Sequence, residues 1–206
     1  MNNELLDNLK RLKSIADIGL LYCNNEYDKE RYLEVKEISL GLLSKMSGHS
    51  RDMLNETFPI AKDYPTAKVD IRGLVLSEDK KILLIKESAD GKWSLPGGWA
   101  DVGCSPSEVI VKEFREETGL DVTPEKLLAL FDKRKHPHPP QPFYVYKMVF
   151  YCAANSREII KGFDVLDVQY FRINDLPDFS EDRILKSQVE MLYKKVLSSN
   201  FETYFD

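Results

Sequence analysis

The sequence predicts an α+β protein, with a small N-terminal helical domain over residues 1–62 and a mixed-sheet domain over residues 63–206. Three observations carry this reading. Residues 4–23 and 29–46 repeat their apolar side chains at helical spacing. From Thr66 onward the apolar residues gather instead in short Val-, Ile- and Leu-rich runs separated by turn residues, as strands require. Only two further helical segments, near 106–118 and 181–198, stand among those runs, too few for a regular βαβ repeat.

Taken in order, the first helix is marked by Leu5, Leu9, Leu12 and Ala16, and the second by Tyr32, Val35, Ile38, Leu42 and Met46. The break between them, Asn24-Asn25-Glu26-Tyr27-Asp28, is rich in turn and capping residues, with Asp28 as the expected N-cap of the second helix. A helical hairpin follows. Between Ser47 and Pro65 the periodicity fades, and the junction is placed near residue 62. Segments 66–77 and 81–87, separated by Glu78-Asp79-Lys80, predict a β-hairpin. Further strands are expected near 127–134, 143–153 and 165–172.

Composition narrows the function classes. The longest apolar runs fall well short of the roughly 18 residues of a membrane span, and Met1-Asn2-Asn3-Glu4 does not open a secretory signal. A soluble, cytoplasmic protein without membrane partners is expected. Cys23, Cys104 and Cys152 are widely spaced, with no C-x-x-C pair, and are expected as free thiols. A net charge of −5 argues against a duplex nucleic-acid footprint.

The segment 105–119 is the most informative. Ser105 precedes Pro106 and lies three residues before Glu108, the signature of a capping box, and Gly119 can close the helix in the left-handed conformation. Ile110, Val111 and Phe114 form an apolar stripe, while Glu113, Glu116 and Glu117 stand at i, i+3 and i+4 on another side. Two readings compete for that acidic set. It is either a solvated outer face, or three like charges with no lysine among them that converge on a divalent cation such as Mg²⁺. The preceding Trp93-Ser94-Leu95-Pro96-Gly97-Gly98 favours the second, because a diglycine lets backbone approach a ligand closely.

Gly98, five residues, Cys104, seven residues and then Lys112-Glu113-Phe114-Arg115-Glu116-Glu117-Thr118-Gly119-Leu120 resembles the Nudix box, Gly-x5-Glu-x7-Arg-Glu-U-x-Glu-Glu-x-Gly-U, where U is aliphatic or aromatic. Two positions depart from it: Cys104 stands for the first glutamate and Lys112 for the arginine. In the family those two brace each other, so their joint change bears on the rigidity of the loop. The resemblance extends over about residues 66–198, including a closing segment from Asp164 to Pro177. With its helical N-terminal addition, the chain is similar to a bacterial subgroup that includes CDP-choline pyrophosphatase.

The resemblance implies a Nudix α/β/α sandwich with a mixed sheet and metal-dependent hydrolysis of the pyrophosphate bond of a nucleoside diphosphate linked to another moiety. Glu113, Glu116 and Glu117, with the carbonyl of Gly97, would hold Mg²⁺, or Mn²⁺ in its place. Glu116 or Glu117 would serve as base, with Asp164 and Glu158 as later alternatives. The implied substrate is CDP-choline, with ADP-ribose, another nucleotide or an RNA 5′ end as alternatives, and a non-catalytic nucleotide sensor as the reading from another class. For the substrate, Arg72 on the first strand, Trp99, Tyr144 and the loop residues Lys133, Arg134, His136 and His138 are the candidate contacts. The same loop also reads as a solvated basic tip. The helical pair reads either as a homodimerisation element, which the subgroup favours, or as a lid.

Overall fold

The structure, a computed structural model, describes residues 3–206. The chain divides into two compact units, one running up to Ala67 and including Pro140–Tyr144, the other comprising Lys68–Pro139 and Val145–Asp206.

The first unit contains α1 (Asn3–Tyr22), α2 (Glu26–Ser47) and the short α3 (Arg51–Thr57). The expected helical hairpin forms, but Asn25 caps α2, not Asp28: the extended Asn25 accepts the Asp28 N–H at 2.8 Å, which places Asp28 inside the first turn. Leu6, Leu9, Leu40, Leu43 and Leu54 make the core, with Met46 and Phe58 against it. Part of the apolar pattern that marks these helices in sequence stays outside that core. Leu5, Leu12 and Ile15 on α1, and Val35, Ile38 and Leu42 on α2, are exposed. Each helix carries two apolar stripes, and periodicity does not say which one packs within the chain. Buried charge accompanies the core: Asp17 accepts from Lys36 at 2.8 Å and from Lys13 at 2.7 Å.

The second unit is built from β1 (Lys68–Leu74), β2 (Ile82–Glu87), β3 (Trp93–Ser94), β4 (Gly97–Trp99), α4 (Pro106–Thr118), β5 (Val122–Asp132), β6 (Val145–Ala154), β7 (Val165–Phe171), α5 (Lys186–Leu197) and β8 (Tyr204–Phe205). One sheet runs β4-β1-β6-β5-β8 and the other β3-β2-β7. β1 pairs parallel with β6, and β5 with β8; the remaining pairs are antiparallel. The hairpin expected from 66–87 survives only near its turn, where Ser77 N–H meets Lys81 O and Leu83 N–H meets Val75 O. Beyond it the two strands enter different sheets. Both carry apolar side chains on both faces, so each needs cover above and below as well as strands beside it.

The strand alternation sorts two layers of core. Ile71, Val75, Leu83 and Ile85 pack with Val109, Ile110 and Phe114 of α4. Leu74, Ile82 and Leu84 pack with Val189, Leu192, Tyr193 and Val196 of α5. Odd and even positions of one strand thus face different helices, as the two-residue period of a strand dictates, and the result is an α/β/α sandwich with a mixed sheet. Among the described residues no helix is long and apolar enough to cross a membrane.

Candidate active site

α4 is fixed at both ends. The Ser105 hydroxyl oxygen accepts the Glu108 N–H at 3.3 Å, and the Glu108 carboxylate accepts the Ser105 N–H at 2.7 Å, completing the expected capping box. Gly119 closes the helix with φ 71° and donates its N–H to Arg115 O. A later loop secures the same end: Ile160 and Gly162 donate their N–H groups to Thr118 O and Glu117 O. With Phe114 and Ile110 fully buried, the helix is held in rotation as well as in position.

That rotation decides which glutamates meet. At about 100° per residue, Glu113 and Glu117 lie about 40° apart, whereas Glu116 lies about 60° to the other side of Glu113. Gly97 N–H donates to Glu117 Oε2 at 2.8 Å. A Cβ on Gly98 would stand 2.5 Å from Glu113 Oε1, and one on Gly97 would stand 2.1 Å from Ile71 O. Gly98 is therefore what lets β4 lie directly against Glu113, and Gly97 what lets it lie against the β1 backbone while its N–H meets Glu117. Glu116 points elsewhere, half exposed, 4.0 Å from the Lys112 ammonium. This corrects the sequence reading that no lysine offsets the acidic set.

Glu113 and Glu117 are electrostatically frustrated. Burial pushes Glu117 up to about 8, only partly offset by Arg72 and the Gly97 N–H, and the charges of Glu113 and Glu87 push it further. Glu113 is raised chiefly by burial as well, with Arg72 opposing and with Glu116 and Asp164 adding repulsion. Among the described residues, no three His, Cys, Asp or Glu side chains stand close enough together to hold a metal ion. Glu113 and Glu117 meet at β4, while Glu116, half exposed, stands on the Lys112 side of Glu113, near enough for its charge to act there. The pair itself suits a divalent cation: two desolvated carboxylates beside a backbone cradle that any side chain would fill.

Arg72 supplies the fixed positive charge nearby. Its guanidinium donates to Asp70 Oδ1 at 3.0 Å, to Leu95 O at 3.1 Å and to Ser94 Oγ at 3.3 Å, and it pairs with Glu87 at 3.4 Å. Lys147 donates to the other oxygen of Asp70 at 2.5 Å, and Arg183 pairs with Glu87 at 2.8 Å. This buried network escapes the sequence, because Asp70, Arg72, Glu87, Lys147 and Arg183 come from four separate segments with no shared motif.

The remaining candidates each have partners of their own. Trp99, at the end of β4, is half exposed, with the Lys68 ammonium 5.3 Å from its ring centre. Lys133 is buried and donates to Asp182 O at 2.9 Å; burial lowers its ammonium to about 8. His136 Nε2 lies 3.0 Å from Asp206 Oδ2, Arg134 pairs with Asp132 at 3.0 Å, and His138 Nδ1 lies 2.5 Å from Glu181 O. The loop is thus tied to the C-terminal segment and is not a freely solvated tip. Tyr144 belongs to the helical unit, where its hydroxyl donates to Asp7 O at 3.0 Å and Lys10 sits over its ring at 4.7 Å. Cys104 is exposed and free.

Known proteins share both units. Residues 3–58 match the family described as "UDP-X-like, N-terminal oligomerisation domain", and residues 67–192 match the NUDIX domain. The Bacillus subtilis (strain 168) protein "Putative ADP-ribose pyrophosphatase YjhB" is 37% identical over 201 residues, 98% of this chain and 96% of that protein. The crystal structure of an ADP-ribose pyrophosphatase from Streptococcus suis 89-1591 is similar with a TM-score of 0.62 at 36% identity, covering 68% of this chain and 100% of that one. The crystal structure of a UDP-X diphosphatase is similar with a TM-score of 0.63 at 32% identity, covering 100% of both.

Proposed function

Because this chain belongs to the Nudix hydrolase family and is a pyrophosphohydrolase, we propose that it cleaves the diphosphate of a nucleoside diphosphate linked to another moiety, with its chemistry centred on Glu113 and Glu117. The observation that carries this reading is the pairing of those two carboxylates against Gly97 and Gly98. They would hold the cation, with the Gly97 carbonyl and Glu116 as further oxygens. Mg²⁺, or Mn²⁺ in its place, would when bound there supply positive charge against the diphosphate and a water of lowered pKa. Arg72 keeps one positive charge beside the carboxylates throughout, locked by Asp70 and Glu87, so the site does not have to reorganise when substrate charge arrives. Of the two later carboxylates, Asp164 is favoured over Glu158 as an alternative base to Glu116 or Glu117, since the Asp164 charge is felt at Glu113.

For the linked moiety, ADP-ribose or a UDP-linked compound takes precedence over CDP-choline, because the relatives that share both the identity and the coverage carry ADP-ribose and UDP-X in their names. Trp99 offers an exposed ring for stacking. His138 keeps a buried nitrogen, Nε2, without a partner. The Glu181 carbonyl can only accept, so Nδ1 carries the proton and Nε2 is a buried acceptor. We also propose assembly through the helical unit: the exposed stripes of α1 and α2 agree with the oligomerisation described for its family.

The test is product analysis with Mg²⁺ on ADP-ribose, a UDP-sugar, CDP-choline and a dinucleoside tetraphosphate. At least one should yield a nucleoside monophosphate. Binding of these compounds with no cleavage of any would replace this reading with that of a nucleotide sensor.

A further inference from the structure

The two departures from the box leave an unexplained problem. The turn that leads from β4 into α4 lacks the carboxylate that the resemblance places at position 104, although it joins the diglycine strand directly to the helix of Glu113 and Glu117. We propose that Asp101 is a positioning residue that takes the place of that missing carboxylate. Its Oδ2 lies 2.7 Å from Lys112 Nζ, one residue before Glu113 on α4. The proposal rests on the function proposed above only for its effect on turnover; the brace itself is a property of the fold.

The geometry explains why position 101 can do the work of position 104. Cys104 N–H donates to Asp101 O at 3.2 Å, so Asp101 and Cys104 are the first and last residues of one four-residue turn. The ends of such a turn lie within about 7 Å of each other, and Gly103 supplies the positive φ, 92°, that the third position of a type II turn demands. A carboxylate at either end of the turn therefore reaches the same stretch of α4. Ala100 N–H donates to Val69 O at 2.9 Å, and Ser105 is held by the capping box, so both flanks of the turn are fixed. Between those flanks, Val102 is fully exposed and packs on nothing. The Asp101–Lys112 pair is a side-chain tie between this turn and the side of α4 that carries Glu116, with Lys112 next to Glu113 in the chain.

Lys112 completes the arrangement by standing between two acids. Besides Asp101 it faces Glu116 at 4.0 Å. Without Asp101, the ammonium is free to close on Glu116, and the turn loses its tie at the same moment.

Both groups are half exposed, so the pair is modest in strength, and the test is built on rescue. Three variants of the full chain are compared with the unmodified protein: Asp101→Asn, Asp101→Asn with Cys104→Glu, and Asp101→Asn with Cys104→Gln. Two quantities are read, hydrogen exchange at the amides of residues 101–104, and kcat and KM with Mg²⁺ on the compound turned over fastest. The expectation is that Asp101→Asn speeds exchange and lowers kcat by about two- to fivefold each, the range an exposed ion pair supports, with KM less affected. Cys104→Glu should restore both and Cys104→Gln neither. Unchanged exchange in Asp101→Asn, faster exchange with unchanged kcat, or equal rescue by Cys104→Gln would each overturn the proposal. If the unmodified protein turns over nothing, the proposed function fails, and the exchange pattern alone still decides whether Asp101 braces the turn.

Discussion

Glu113 and Glu117 are costly neighbours. Both are desolvated, they repel each other, and Arg72 is the main charge opposing them. A desolvated, mutually repelling pair of this kind is what a bound cation would offset, and it is the physical ground for the proposal that these two positions serve function. His138 is costly in a different way. Burial first, and then the charges of Lys147, Lys133 and His136, push its imidazole down to about 4 against the pull of the Glu181 carbonyl. The folded protein therefore takes up this proton later than the unfolded chain does as pH falls. The stabilisation is complete above about pH 6.5 and is lost as pH drops towards about 4, at most on the order of 3 kcal/mol. Glu117, raised to about 8, contributes in the opposite sense over the same window, so the test is a difference. In urea unfolding from pH 7 to pH 4 the His138→Asn variant should lose less stability, or gain more, than the unmodified protein, and an identical pH slope in that variant would contradict the assignment. At this scale the sequence was partly legible. Glu113, Glu116 and Glu117 announced themselves by spacing, but which two would meet depended on how Phe114 and Ile110 fix the rotation of α4. Asp101 was invisible because its role needs a turn geometry that brings positions 101 and 104 together.

Elements with local end signals were the readable ones. α4 begins and ends where Ser105, Pro106, Glu108 and Gly119 say it must, since caps act within one turn of backbone. Ser105→Ala should cost about 1 kcal/mol of stability, read as a lower urea midpoint, and should loosen the helix end nearest the Asp101 turn. A midpoint unchanged from the unmodified protein would show that the capping box is not bearing on stability. The strands were less legible. The hairpin read from 66–87 holds only at its turn because strand partnership is non-local: β1 pairs with β4 and β6, and β2 with β3 and β7. Strands as short as β3, β4 and β8 carry too few residues for any period to show. α3, with Leu54 its one buried residue, likewise has no stripe to read.

For the molecule as a whole, α4 and α5 on opposite faces of the sheets account for the sandwich, and the two-residue alternation of β1 and β2 is what builds both cores at once. The helical unit leaves apolar surface uncovered. Leu12 is 46% exposed and Ile38 56%, on helices that already have a core of their own. If the chain assembles through these stripes, the unmodified protein should elute as an oligomer with light-scattering mass to match, and Leu12→Glu with Ile38→Glu should give a folded monomer. A monomeric unmodified protein would rule that assembly out. The sequence showed these residues as the packing stripe of a hairpin; whether a stripe packs within the chain or outside it is set by the second stripe on the same helix, which periodicity alone does not rank.

The most direct measurement is the initial rate on the fastest of the tested compounds, for the unmodified protein and for Glu117→Gln, with Mg²⁺ and with excess chelator. Gln keeps an oxygen for the Gly97 N–H while removing the charge, so the fold should hold. Mg²⁺-dependent release of a nucleoside monophosphate is expected, falling by about a hundredfold or more in Glu117→Gln. A Glu117→Gln variant that turns over at the unmodified rate, or a rate indifferent to chelator, would contradict it.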